Sequence, residues 1–425
     1  MKQRYNKYSH NMAWRAVWAC FQRKWLRLDT LQAIEEYAGI SRSEIYKSAL
    51  SGDMNVKIEA ADALAYLIDE MIAEIMDGHD PECVEPVRLR VEEDGMTRKL
   101  REIATLSIPH QLLGHVVVLG LEPLFRARIL PTQHASIPRR GQVQMIKQVG
   151  RFLRRKALRI KAGRKTDVTG AYRSTMYEII VTILLDEIPR ARWIIAAMRY
   201  LARIAPDGHL IIGGYLDAWL FNFVMSYAMR YTLAQGQTRR GIFRPYIVRI
   251  VAFMDDASFL ATSETGLRKG IAAYCRFMKE RFGLTVRETT SVIRFLTVEQ
   301  ERERRHMPKA SQRGCPNLDI GGYKVHRTYT TMRPRVAKRV IRTFTRAWAE
   351  IQRTGTIIQP WARTITARYG AIANTQSKHF CEKYHVAEIV RMAKKIAAHL
   401  SRTENEKRKE LLIYAISKHT SFRYA

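Results

Sequence analysis

The chain has 425 residues, 47% of them hydrophobic, enough for two or three domains with sizeable cores. Lysine and arginine number 72 against 40 acidic residues, a formal net charge of +32, so a polyanionic partner is expected, with binding that weakens steeply with salt. Five scattered cysteines, a 9% aromatic content and no repeat or low-complexity tract exclude a disulfide-stapled scaffold, a disordered basic arm and a solenoid. The start, Met1-Lys2-Gln3-Arg4, leads into polar residues without the apolar core of a signal peptide. Thr30 to Ser41 reads as a helix stopped by Gly39, with Ser41 as N-cap of a second helix near Arg42. Such a pair suits a helix-turn-helix that reads DNA, a pair packed on the rest of the chain, or a site for structured RNA. Ala60 to Met76 is apolar enough for a buried helix.

Beyond the turn signal Asp94-Gly95, Lys99-Leu100-Arg101-Glu102-Ile103 has strand periodicity. It places Lys99 and Arg101 on one side, as a grip for a triphosphate or as a solvated strand face. His115 to Phe125 reads as a helix, and Ser136-Ile137-Pro138-Arg139-Arg140-Gly141-Gln142 as a basic loop before another. At Asp167 a basic stretch gives way to a short strand and then to the helical run Met176 to Leu184, with Tyr172 five residues after the carboxylate. Leu210 to Met229 has about the twenty mostly apolar residues a bilayer span needs. Asp217 near its middle, and Gly213 and Gly214 near its start, argue instead for a buried helix entered from a glycine loop.

The apolar runs Tyr246 to Ala252 and Ala257 to Ala261 flank Phe253-Met254-Asp255-Asp256. Alternation predicts two strands with the paired carboxylates at the tip of a tight hairpin. Burying such a pair is costly unless a cation offsets it, so the tip is either a solvated turn or a site for hard divalent ions. Ile320-Gly321-Gly322-Tyr323-Lys324-Val325 is a glycine turn between short apolar runs. After it, Val336, Val340, Phe344 and Trp348 recur every fourth residue, while Arg335, Lys338, Arg339, Arg342 and Arg346 occupy other faces, the pattern of an amphipathic basic helix. The cysteines, with His134, His306 and His326, have no recognisable zinc-ligand spacing, and their dispersal suggests a reducing cytoplasm. No glycine-rich phosphate loop with its lysine and no serine-hydrolase elbow is present.

From Arg88 to Ala425 these segments resemble, in order and separation, a prokaryotic reverse transcriptase. Asp167-x-x-x-x-Tyr172 is similar to that family's first palm motif, Leu210 to Phe223 to its second, and Phe253-Met254-Asp255-Asp256 to its aromatic-x-Asp-Asp hairpin. The resemblance implies an α+β right-hand polymerase. Fingers and palm, a ferredoxin-like antiparallel sheet plus helices, would span 88–329, a helical basic thumb 330–425, and a helical N-terminal extension 1–87. It further implies an RNA-directed DNA polymerase, a nucleotidyltransferase, in which Asp167 and Asp255 hold two Mg²⁺ ions, or Mn²⁺, with Asp256 more peripheral. Tyr172 would be the gate against ribose, Lys99 and Arg101 would lie over the incoming dNTP, and Gly213 and Gly214 would approach the templating pair. Phe253, Met254, Arg139, Arg140, Gly322, Tyr323, Arg335, Arg339 and Arg342 would contact template and primer.

One departure stands out, because the family usually places Ser followed by Pro or Gln where this chain has Asp217-Ala218. An acid there would repel a phosphate, bind a metal or hydroxyl, or face a partner, and the sequence leaves these open. The implied partners are an RNA template, in particular a structured noncoding RNA, a DNA product and dNTPs. A homo-oligomer or an accessory protein stays open, and a membrane is not expected. With no evident endonuclease or maturase appendage, the expected setting is anti-phage defence, the alternatives being a diversity-generating retroelement or a retron. Template-independent or protein-primed synthesis and a catalytically idle RNA-binding protein are the rival functions.

Overall fold

The computed structural model describes residues 4–82, 87–93, 100–307, 315–399 and 406. It is a mixed α+β structure whose strand ladders are all antiparallel. The first helices are α1 (His10–Phe21), α2 (Leu28–Ala38), α3 (Arg42–Ser51) and α4 (Asn55–Met76). Their punctuation follows the sequence: Gly39 ends α2 at φ 65°, and Ser41 opens α3 in a capping box with Glu44. A hairpin follows, β1 (Val87–Glu93) with β2 (Leu100–Leu106), and then α5 (Ile108–Arg128) and α6 (Gln142–Arg154).

The central stretch contains β3 (Ala162–Val168), α7 (Ala171–Ser174), α8 (Tyr177–Glu187), α9 (Arg192–Ile204) and α10 (Tyr215–Ala234). Beyond a small hairpin, β4 (Gly236–Arg239) with β5 (Ile242–Pro245), come β6 (Arg249–Phe253), β7 (Asp256–Ala261), α11 (Glu264–Phe282), β8 (Val286–Glu288) and β9 (Ile293–Arg294). Strands β6, β7, β3 and β8 form a sheet in that order, and β9 also pairs with β3. Period-two alternation covers both faces of this sheet. Ile250, Ala252, Ala257 and Phe259 join the main core with α10 and α11, while Val251 and Leu260 join a smaller core with Met145, Ile146 and Val149 of α6.

The main core does not stop at the expected boundary near residue 87. Side chains of α1 and α4 enter the same cluster as those of α5 and α9, so the N-terminal helices and the central stretch share one interior. The apolar segment after Leu210 becomes α10, with Leu220, Phe221, Phe223 and Val224 buried in that interior. No helix among the described residues is long and apolar enough to cross a membrane.

Next are α12 (Val298–His306) and the three-stranded sheet of β10 (Leu318–Ile320), β11 (Tyr323–Val325) and β12 (Thr330–Met332). Arg327, between β11 and β12, ties this region to the centre by donating to the carbonyls of Leu153, Ile160 and Leu296. Helices α13 (Pro334–Thr354), α14 (Gln359–Ala373) and α15 (Lys378–Lys383), with a further helix over 386–399, build a separate core around Val340, Phe344, Ile365 and Ile389. The predicted stripe of α13 is inside, while Arg335, Lys338, Arg342 and Arg346 are exposed.

Candidate functional site

The hairpin β6–β7 turns at Met254-Asp255, with Phe253 paired to Asp256 and Met254 in the left-handed region at φ 53°. Strand β3 runs beside β7, with Thr166 opposite Ala257, and this register delivers Asp167 to the hairpin tip. Asp167 and Asp255 are in side-chain hydrogen-bond contact, and Asp256 is close enough to add to the repulsion. Partial burial, and then the neighbouring charges, push the Asp255 carboxyl up to about 6. Two of the three predicted carboxylates, Asp167 and Asp255, therefore meet with 87 residues between them in sequence, while Asp256 stands nearby on Lys165, and the three do not bring their oxygens within 4.8 Å of one another.

Two cations flank the cluster that sequence reasoning did not single out. Lys165, almost buried, donates to Asp256 at 3.2 Å, and Arg287 of β8 donates to Asp167 at 2.7 Å. Lys165 was findable, because positions 165 and 167 share a strand face. Arg287 was not, since only the pairing of β8 with β3 sets it opposite Asp167. The facing Asp167 and Asp255 carboxylates, with Asp256 nearby, offer oxygen ligands of the kind a hard divalent cation takes, which would replace repulsion with shared coordination.

A pH-dependent response follows. A folded-state pKa raised above that of the unfolded chain gives stability that is full below about pH 4 and lost as pH rises through about 6. Mg²⁺ binds the ionised form, so millimolar Mg²⁺ should leave the melting temperature unchanged at about pH 5 and raise it by a few degrees at about pH 7.5. Differential scanning fluorimetry across that range checks this, and equal shifts at both ends would remove Asp255 from the binding set.

Tyr172 lies beside the cluster on α7, which opens at Gly170 with φ 62°. Its ring stacks on Phe221 with centroids 5.5 Å apart, and its hydroxyl approaches Met254 Sδ at 3.7 Å. Phe253 and Met254 are half-buried at the tip. The tip is braced from the loop before α6: His134 N donates to the Ala252 carbonyl, Ala252 N donates to Thr132, and buried Gln133 donates to the Asn222 carbonyl of α10. Arg140 belongs to this brace, since its guanidinium donates to the carbonyls of Leu130 and Gln133 at 2.8 and 3.0 Å, whereas Arg139 is exposed.

Asp217 is fully buried, accepts from the Tyr177 hydroxyl at 2.8 Å and from Ile211 N at 2.7 Å, and has its carboxyl raised to about 6 by burial. Its acidic side chain thus pins the glycine loop to α8. The same contact explains Gly214, where an added Cβ would stand 1.8 Å from Asp217 Oδ2. Gly213, at φ 101°, lies beside Ile103 and Ala104 of β2. Gly214, expected with Gly213 to serve approach to a ligand, has the Asp217 carboxylate where a side chain would stand.

Lys99 lies outside the described residues, and Arg101 is placed on β2 opposite Glu92. Gly321 and Gly322, at φ 53° and 82°, form the turn between β10 and β11. Tyr323, expected to contact primer, is 7% exposed, and its hydroxyl donates to the Gly370 carbonyl. Arg339, Arg342, Arg346 and Arg368 line a cavity of about 360 Å³ with Trp361 between α13 and α14. No protein-family model matches the chain, and no curated protein matches it.

Proposed function

We propose that this chain is a reverse transcriptase, making DNA from dNTPs on an RNA template by divalent-metal phosphoryl transfer. The observation that carries the reading is the meeting of Asp167 with the Asp255-Asp256 hairpin, with Tyr172 against the same tip. Two Mg²⁺ or Mn²⁺ ions held by Asp167 and Asp255 would make the primer 3′-hydroxyl a better nucleophile and neutralise the departing pyrophosphate. The protein's own part is to hold the carboxylates together, with Lys165 fixing Asp256 and the mostly exposed Arg287 free to leave Asp167. Tyr172, braced by Phe221, would lie under the sugar and leave no space for a 2′-hydroxyl. The exposed arginines of α13 supply a basic face that can track a duplex backbone.

The buried role of Asp217 accounts for the departure in the second palm motif without a change of chemistry, which favours templated synthesis over the untemplated alternative. Anti-phage defence with a structured noncoding RNA is the proposed setting, and a diversity-generating retroelement or a retron is the alternative. The test is incorporation of labelled dNTPs by purified protein with Mg²⁺, with and without a primed RNA template, beside the Asp255→Ala/Asp256→Ala variant. Product that requires template is the expected result. Template-free product linked to a tyrosine or serine would move the case to protein-primed synthesis, and wild type at the level of the variant would count against polymerase activity. In the same assay Tyr172→Ala should raise ribonucleotide incorporation by at least about tenfold, and unchanged sugar discrimination would remove Tyr172 from the gate.

A further inference from the structure

Away from the aspartates, α12, the segment entering β10 and the end of β11 bring together three buried residues that sequence spacing did not connect. Glu301, Cys315 and His326 are 2%, 6% and 5% exposed, and each offers a ligating atom such that all three lie within 4.8 Å of one another. The His326 ring has the Pro316 carbonyl as a hydrogen-bond neighbour, and its Nδ1 faces the other two residues. That Nδ1 is buried without a hydrogen-bond partner, 4.0 Å from Glu301 Oε1. Metal-binding histidines are commonly oriented by such a bond from the second nitrogen to a main-chain carbonyl.

The other two residues are prepared in the same way. The Tyr329 hydroxyl lies against the Cys315 sulfur as its hydrogen-bond neighbour. The Glu301 carboxylate accepts from Arg327 N at 3.0 Å and from Thr328 N, which fixes its plane and leaves a lone pair on each oxygen. Its charge is buried, and the nearby Arg327 guanidinium donates instead to Leu153, Ile160 and Leu296. A buried carboxylate, a buried thiol and an orphaned imidazole nitrogen facing one another are costly in the absence of a shared partner.

We propose that Glu301, Cys315 and His326 form a binding site for a single transition-metal ion of the zinc class, pinning α12 to the β10–β11 hairpin. One thiolate, one imidazole and one carboxylate suit Zn²⁺ and do not suit Mg²⁺, so this site is chemically distinct from the aspartate cluster. Tetrahedral zinc with bonds of about 2.0–2.3 Å sets its ligands roughly 3.3–3.7 Å apart, so small side-chain adjustments bring these three to one ion, with a fourth position for water or another donor. A thiolate and a carboxylate cancel the charge of the ion, which lets the site stay buried among Arg305, Lys324 and Arg327.

The test uses the full chain, dialysed with Zn²⁺ in excess Mg²⁺ and then freed of loosely held metal. About one zinc per chain is expected by elemental analysis, retained in Asp255→Ala/Asp256→Ala and lost in folded Cys315→Ser and His326→Gln. X-ray absorption at the zinc edge of the wild-type chain needs no variant, and should show one sulfur at about 2.3 Å with nitrogen or oxygen neighbours at about 2.0 Å. Less than about a tenth of an equivalent of zinc in the wild type, a shell with no sulfur, or full zinc content in folded Cys315→Ser would each overturn the proposal.

Discussion

Asp255→Ala is expected to reduce dNTP incorporation by at least about a thousandfold while the melting temperature in the absence of divalent ions stays the same or rises. The two halves have one cause. Asp255 sits against Asp167 and beside Asp256, and its raised pKa means that its ionised form is disfavoured in the folded chain at neutral pH. Removing it relieves repulsion and at the same time removes a carboxylate that the proposed metals require. Asp256→Ala should behave differently, because it orphans the ammonium of Lys165, itself only 8% exposed. Asp256 is nearly half exposed, so the stability cost is reduced by solvent to about 1 kcal/mol, with a smaller loss of rate than at Asp255. Primer extension beside thermal melts separates these outcomes. A fully active Asp255→Ala enzyme would end the two-metal proposal.

Gly214→Ala should destabilise the chain by about 2–4 kcal/mol, a large effect for the addition of one methyl group. The added carbon would fall 1.8 Å from Asp217 Oδ2, and Asp217 cannot step aside without releasing the Tyr177 hydroxyl and Ile211 N inside the core. Asp217→Ala should cost a similar amount by leaving those donors unpaired. Asp217→Asn keeps an acceptor for both and should cost less than about 1 kcal/mol. Chemical denaturation of the three variants is the measurement. If Asp217→Asn folds normally but loses catalysis, the carboxylate has a role beyond pinning the loop.

The local pieces were legible in the residues themselves. Gly39 and Ser41 marked a helix boundary, alternation around Phe253-Met254-Asp255-Asp256 marked a hairpin, and the four-residue stripe from Val336 to Trp348 marked an amphipathic helix, because each signal is written in neighbours within a turn or a strand. Asp167 was also legible as a partner of the hairpin, through the order of motifs in a resembling family.

What each polar side chain faces depends on how distant elements pack. Asp217 could not be assigned from sequence because its partners, Tyr177 and the backbone at Ile211, come together only when α8 meets the loop before α10. Arg287 reaches Asp167 through the pairing of β8 with β3. Tyr323 and Arg140, expected to contact nucleic acid, donate to the carbonyl of Gly370 and to those of Leu130 and Gln133, partners that only the fold brings near. Glu301, Cys315 and His326 come from α12, the segment before β10 and the end of β11, with no motif spacing. Secondary structure is selected by short-range periodicity, whereas electrostatic and coordination partners are set by long-range packing, which no local window of the chain contains.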